Sequence, residues 1–302
     1  MRKLTWPTQL ALLVMIWGFS FFFIKVGDQG LSPLLVVFGR MAFGAGTIWI
    51  VMAIRKERLP RQWRVWGQMA VIALLFNAAP YALFAYGELR VSSVLAGILN
   101  ATTPLMVAPL AMLLLPDEPP TASRLSGLLI GFVGVLVVLG VWTGLGGGQA
   151  AGSLMCLGAA LCYAIATILA RRLLTGRQDG VIALATCQLI CGTLEVAIFL
   201  PFFARLPTSL PVGPIASVLA LGVLGTGIAF ILQYAIIREA GAIMASMVTY
   251  LIPIVSTLAG VVLLGEVMTW NEPLGAVVVM GGVVISQGTM QRLRQRRLSG
   301  LP

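Results

Sequence analysis

Ten apolar runs, each near the length needed to cross a bilayer, constrain this chain more than any motif in it. They lie at about 8–27, 33–54, 66–87, 92–115, 123–142, 151–172, 180–203, 212–236, 242–264 and 272–290, separated by charge, Pro or Gly. A helix needs about 20 mainly apolar residues to span the hydrocarbon core. Composition excludes the alternative of a water-soluble globule. With 59% hydrophobic residues, 10% charged residues and a mean hydropathy of +0.99, a 302-residue chain has too little polar surface to cover itself in water. Arg2 and Lys3 precede the first run in the manner of a signal peptide, but "LLVMIWGFSFFF" is bulky, aromatic and without a small-x-small cleavage site, so it reads as mature structure.

The net charge of +10 is explained by orientation. The basic residues are not gathered in a polar domain with interleaved aromatics, which argues against a nucleic-acid partner. With ten spans both termini share a side, and every Lys and Arg except Lys25, Arg40, Arg90 and Arg205 then falls on that side. The positive-inside rule makes it the cytoplasm. The expectation is a multi-pass protein of the inner cell membrane with both termini cytoplasmic. Its tail, residues 291–302, carries four Arg that can meet anionic lipid.

The chain also repeats itself. "PDEPPTASRLSGLLIGFVGV" at 116–135 echoes "GEVMTWNEPLGAVVVMGGVV" at 265–284, aligning Glu118 with Glu266, Thr121 with Thr269, Gly127 with Gly275 and Gly134 with Gly282 at one constant offset. Pro104 matches Pro253, and Trp17 to Lys25 corresponds loosely to Tyr163 to Arg171. Five spans per copy is an odd number, so the second copy enters the membrane upside down. The expected fold is an all-α integral membrane protein of ten transmembrane helices arranged as two inverted five-helix repeats, 1–143 and 151–290, joined by an external Gly-rich link at 144–150. Inverted repeats of this kind place a substrate site near the midplane between the halves.

Each half ends in a Pro-bearing span, an apolar run, an acidic residue, a Thr three positions later and a Gly-rich helix. With "IWGFSFFFIK" in the first span and "GRMAFGAG" in the second, the whole chain resembles the drug/metabolite transporter superfamily in its EamA branch, and most resembles the YddG-type aromatic amino acid exporters. The resemblance implies alternating-access export of small metabolites. The first copy departs from the pattern, since Pro116-Asp117-Glu118-Pro119-Pro120 replaces the Leu-Gly-Glu form that the second keeps as Leu264-Gly265-Glu266.

Several polar residues read as structural. Thr269 and Glu272 have the spacing of a capping box, and Thr121 is placed to cap its own helix, although Arg124 stands where the box wants an acid. Other chemistry is missing. The chain has no His, so a catalytic imidazole or a His metal ligand is excluded. "GLGGGQ" at 144–149 lacks the Lys-Ser/Thr of a phosphate loop. Cys156, Cys162, Cys187 and Cys191 lie in apolar spans, where thiols act as small hydrophobes. No cofactor, metal or catalytic residue is expected, and no nucleophile stands beside a base, so the chain is not read as an enzyme. The first span also lacks the central proton-coupling Glu of the related small multidrug resistance proteins.

Intramembrane charge is costly and marks function by default. Arg40 and Glu195 lie at similar depth, as a gate or ion pair, or else as a structural pair. The candidate substrate-binding residues are aromatic with scattered amides and hydroxyls. Asn77, Tyr81 and Phe84 share a face at i, i+4 and i+7. Asn100 and Thr103 precede Pro104, Trp17 and Tyr163 are matched by the repeat, Phe21 lies one turn from Trp17, and Tyr250 approaches from the other half. The reading is a secondary transporter of aromatic or other hydrophobic amino acids and their analogues, its partners a small-molecule substrate and the bilayer, with a monomer as the working unit. A multidrug transporter of the same superfamily is the nearest alternative, and a membrane-embedded enzyme or channel the alternative of another class.

Overall fold

The computed structural model describes residues 5–114, 121–143, 147–174, 179–207, 211–240 and 248–286. Their regular structure is all helix, with no strand among the described residues. In chain order the helices are α1 (Trp6–Gly27), α2 (Pro33–Ile54), α3 (Trp63–Glu88), α4 (Ser93–Leu114), α5 (Ala122–Leu139), α6 (Gly147–Leu174), α7 (Val181–Phe203), α8 (Val212–Ile237), α9 (Val248–Leu264) and α10 (Asn271–Ser286). The first eight are long and apolar enough to cross a membrane, and α9 and α10 are shorter apolar helices. Helix α6 starts at Gly147, so the described part of the Gly-rich link is helical, and 144–146 lie outside the described residues.

The repeated glycines set the packing of α5 on α10. A Cβ added at Gly134 would come within 2.6 Å of the Val279 nitrogen, and one at Gly275 within 2.5 Å of the Val138 nitrogen. One at Gly127 would meet the Gly282 oxygen at 2.5 Å, and one at Gly282 the Gly127 oxygen at 2.6 Å. Without hydrogens in place of side chains, the two backbones cannot approach this closely. Residue numbers rise on one helix as they fall on the other, so the pair is antiparallel. Aligned positions of the two copies meet each other crosswise, as an inverted repeat requires.

The second Glu of the repeat ties the halves together. Gly265 takes the left-handed conformation, φ +65, that ends α9. The turn brings Glu266 to the start of α4, where its carboxylate accepts from the Ser93 N–H and hydroxyl at 2.8 Å each and from the Val94 N–H at 3.1 Å. It therefore satisfies the free donors of a helix in the other half. Its counterpart Glu118, within 115–120, lies outside the described residues. Thr121 caps α5, its hydroxyl accepting from the Arg124 N–H at 3.3 Å. At α10 the expected box is half formed, with the Thr269 backbone hydrogen-bonded to the Glu272 carboxyl. The Glu272 N–H donates at 3.1 Å to the Thr269 carbonyl, and the buried Glu272 carboxyl keeps an oxygen without a partner. The helix begins at Asn271, whose amide donates to the Val137 and Val138 carbonyls of α5 and so anchors the turn by tertiary contact.

Candidate functional site

A cavity of about 310 Å³ lies among α1, α2, α3, α4, α6, α8 and α9. That is at the lower end of the range of small-molecule sites, about 300 to 1,000 Å³. Of the residues singled out from sequence, Trp17, Phe21, Arg40, Tyr81, Phe84, Asn100, Thr103 and Tyr163 line it. Asn77, Glu195 and Tyr250 do not.

Irregular helical turns shape the walls. Residues Leu74–Ala78 of α3 and Val223–Ile228 of α8 form π turns, at matching places in the two halves. A π turn holds an extra residue, shifting the register of all that precedes it, and such turns recur at functional sites. The regular spacing Asn77, Tyr81, Phe84 therefore becomes Phe76, Tyr81, Phe84 on the cavity wall. Asn77 is turned behind the wall. It is fully buried, accepts from the Gln188 amide at 2.6 Å and donates to the Tyr81 hydroxyl at 3.1 Å. Helix α4 breaks at residues 101–102, just before Pro104, where the Thr102 and Thr103 hydroxyls bond the Leu99 and Asn100 carbonyls at 2.6 and 2.7 Å. Hydroxyls are what make such a break tolerable in lipid.

The matched aromatics meet the opposite π turns. Trp17 donates its indole N–H to the Gly225 carbonyl of the α8 turn at 3.1 Å. Tyr163 packs edge-on against Phe76 of the α3 turn, with centroids 5.3 Å apart. Phe84 lies 6.2 Å from Tyr163 and 5.5 Å from Phe21, so the rings form a continuous apolar wall.

Arg40 is the charge on that wall. Its guanidinium lies 3.7 Å over the Tyr81 ring centroid, and its Nε–H donates to the Thr226 hydroxyl in the α8 π turn at 3.1 Å. The Thr226 hydroxyl in turn bonds the Leu221 carbonyl at 3.2 Å. Arg40 and Glu195 do not pair in this structure. The stacking on Tyr81 and the bond to Thr226 fix the guanidinium toward α3 and α8, whereas Glu195 on α7 keeps a buried oxygen without a partner. Among the described residues no acidic side chain lines the cavity, whose other polar groups are Ser20, Asn100, Thr103, Thr167, Gln233 and Thr249. Gln233 keeps an amide oxygen without a hydrogen-bond partner. Tyr250 is packed against the core with its hydroxyl unpartnered.

Phe76, Phe230, Gln233, Thr167, Thr249 and Val248 also line the cavity and were not singled out from sequence. The repeat held a signal for two of them. The offset that pairs Trp17 with Tyr163 also pairs Phe21 with Thr167, and the offset that pairs Pro104 with Pro253 pairs Asn100 with Thr249.

Among the described residues, long apolar helices, several of them broken, surround this cavity, as suits a multi-pass membrane protein. The chain belongs to the EamA-like transporter family, whose match covers residues 5–140 and 150–287. It is 26% identical over 283 residues to the uncharacterized transporter YoaV of Bacillus subtilis (strain 168), covering 93% of this chain and 96% of that protein. It is 28% identical over 277 residues to an uncharacterized transporter of Archaeoglobus fulgidus, covering 91% of this chain and 96% of that one. A solved crystal structure shares the fold at a TM-score of 0.66 and 20% identity, over 94% of this chain and 97% of the other. The protein is a membrane transporter of that family.

Proposed function

We propose that this transporter carries small amino acids with aromatic or other hydrophobic side chains, and that Arg40 receives their carboxylate. One observation carries the reading: among the described residues, a buried cation stands on the wall of a cavity otherwise lined by aromatic, aliphatic and neutral polar side chains. An amino acid brings an apolar side chain, an anion and an ammonium. Phe21, Phe76, Phe84 and Tyr163 offer ring faces, at about 0.5 to 1.5 kcal/mol for each aromatic pair beyond area burial. Arg40 offers N–H donors held in place by Tyr81 and Thr226. The Gln233 amide oxygen, with Asn100 and Thr249, offers neutral acceptors for the ammonium.

A single cation suits one carboxylate and is too little for a diphosphate. A cationic drug gains nothing from a site whose charge repels it, so the multidrug reading is the weaker one. Transport proceeds by alternating access between ten spans in two inverted halves, with both termini cytoplasmic in the inner membrane and export the working direction. The orientation rests on the distribution of Lys and Arg.

Counterflow in proteoliposomes tests the substrate class. Vesicles preloaded with phenylalanine should accumulate radiolabelled phenylalanine. Unlabelled phenylalanine, tryptophan or leucine should compete, and phenethylamine, which lacks the carboxylate, should not. Exchange of cationic dyes without exchange of phenylalanine would overturn the reading in favour of a multidrug carrier.

A further inference from the structure

At one end of the bundle, three acids and a lysine converge from α1, α3 and the α9–α10 turn, and the structure treats them unequally. Glu266 is satisfied as an anion by its three donors at the start of α4. The Lys25 ammonium donates to backbone carbonyls at the end of α3, those of Glu88 and, at 2.8 Å, Val91. It thus answers the negative pole of α3 and leaves the carboxylates without an ion pair.

Glu88 and Asp28 receive no donor at all. Glu88, the last residue of α3, is 0% exposed, and neither of its carboxyl oxygens has a hydrogen-bond partner. Both carboxyl oxygens of Asp28, at the end of α1, are likewise buried without a partner. The charged and titratable groups facing Glu88 are Asp28 and Lys25 at the end of α1, Glu266 after α9, Arg40 on α2 and the Cys156 thiol on α6. A buried carboxylate without donors costs several kcal/mol unless it takes a proton. Burial raises the Asp28 carboxyl to about 8, with Lys25 opposing the shift.

The pair sits directly behind the cavity. Asp28 N–H bonds the Ile24 carbonyl at 2.9 Å, and Ile24 lines the cavity. Phe84, another wall residue, precedes Glu88 by one helical turn. At the opposite end of the bundle Glu239, just past the end of α8, is exposed and accepts from the Gln9 amide at 3.3 Å, and Glu57, after α2, keeps one carboxyl oxygen buried without a partner. Among the described residues, Asp28 and Glu88 alone have both carboxyl oxygens buried without a partner.

We propose that Asp28 and Glu88 form a proton-binding site that latches this end of the bundle shut. With the end shut, the carboxyls hold protons as neutral acids. When α1 and α3 part and water reaches them, each O–H gives its proton to water and the two anions repel. The ligand is the proton, because the Lys25 ammonium already occupies the backbone carbonyls a metal ion would need. The latch rests on alternating access and not on the substrate class.

The sign follows from the linkage. A carboxyl with a value near 8 when shut and near 4 when wet favours the shut state below both values. Opening then becomes easier as pH rises from about 4 to about 8, by up to tenfold per pH unit for one proton, and levels off above. A thiol-free background carrying Val91→Cys, with Gln29→Cys as the exposed reference at the same end, reports opening through its rate of reaction with an impermeant maleimide. The Val91→Cys to Gln29→Cys rate ratio in proteoliposomes should climb steeply between pH 5 and 8. Glu88→Gln with Asp28→Asn, permanent mimics of the neutral acids, should hold it low and flat. A flat ratio without those substitutions, or the same slope with them, would overturn the proposal. No substrate enters the measurement, so failure of the amino acid reading leaves this result interpretable.

Discussion

Replacing Arg40 by Gln removes the charge from the cavity while leaving a polar side chain of related shape, and its consequence can be sized. A hydrogen bond to a charged group contributes about 1.5 to 3 kcal/mol. Loss of the carboxylate contact should therefore weaken phenylalanine binding by about 10- to 150-fold, since about 1.4 kcal/mol is tenfold. Phenylalaninol keeps the ring and the ammonium but carries a neutral hydroxymethyl group, so its affinity should change by less than about threefold. The α8 π turn does not depend on Arg40 alone, because Thr226 retains its bond to the Leu221 carbonyl at 3.2 Å. The variant should fold, and its melting temperature in detergent checks that it has. Arg40→Lys should recover only part of the affinity, because a lysine cannot reproduce the planar fork that stacks on Tyr81. The assay is equilibrium binding of both ligands to purified protein. Equal losses for phenylalanine and phenylalaninol, with melting unchanged, would refute a carboxylate contact and leave Arg40 a packing residue.

Three further outcomes are expected. Gly134→Ala should lower the melting temperature, costing about 1 to 3 kcal/mol by overpacking against the α10 backbone, whereas Gly281→Ala, with nothing within 4 Å of its added Cβ, should be neutral or stabilising. Trp17→Ala and Tyr163→Ala should reduce phenylalanine transport by a few-fold to about tenfold more than threonine transport, measured by counterflow at matched protein level; equal losses would assign those rings to packing. Glu266→Ala should lower the melting temperature through loss of the helix cap, worth about 0.5 to 2 kcal/mol, and Glu266→Gln should retain part of that stability.

The helices and the doubling of the chain were legible because both are written in local residues. A run of apolar side chains near 20 residues long has one stable solution in lipid, and its ends are marked by charge, Pro or Gly. Helix α2 is found at 33–54, where the sequence placed it. The repeated Glu, Thr and Gly positions announced an inverted pair, and the packing of Gly127 on Gly282 shows why those glycines recur: they meet each other. Eight of the candidate site residues line the cavity because depth and repeat position alone bring mid-span aromatics toward the centre.

Tertiary structure decided what those cues leave open. Asn77 shares an ideal helical face with Tyr81 and Phe84, yet a π turn puts Phe76 in its place, and no local residue pattern encodes the extra residue. Arg40 and Glu195 share a depth but not a direction, since rotation about the helix axis is set by neighbours and not by hydropathy. Glu266 has the sequence context of a turn, and only the packing of α9 against α4 gives its carboxylate three donors. Glu88 is the sharpest case. At the end of an apolar run it reads as an ordinary boundary charge facing water, and the convergence of α1, α3 and the α9–α10 turn is what buries it, because burial of a span's last residue depends on elements distant in the chain.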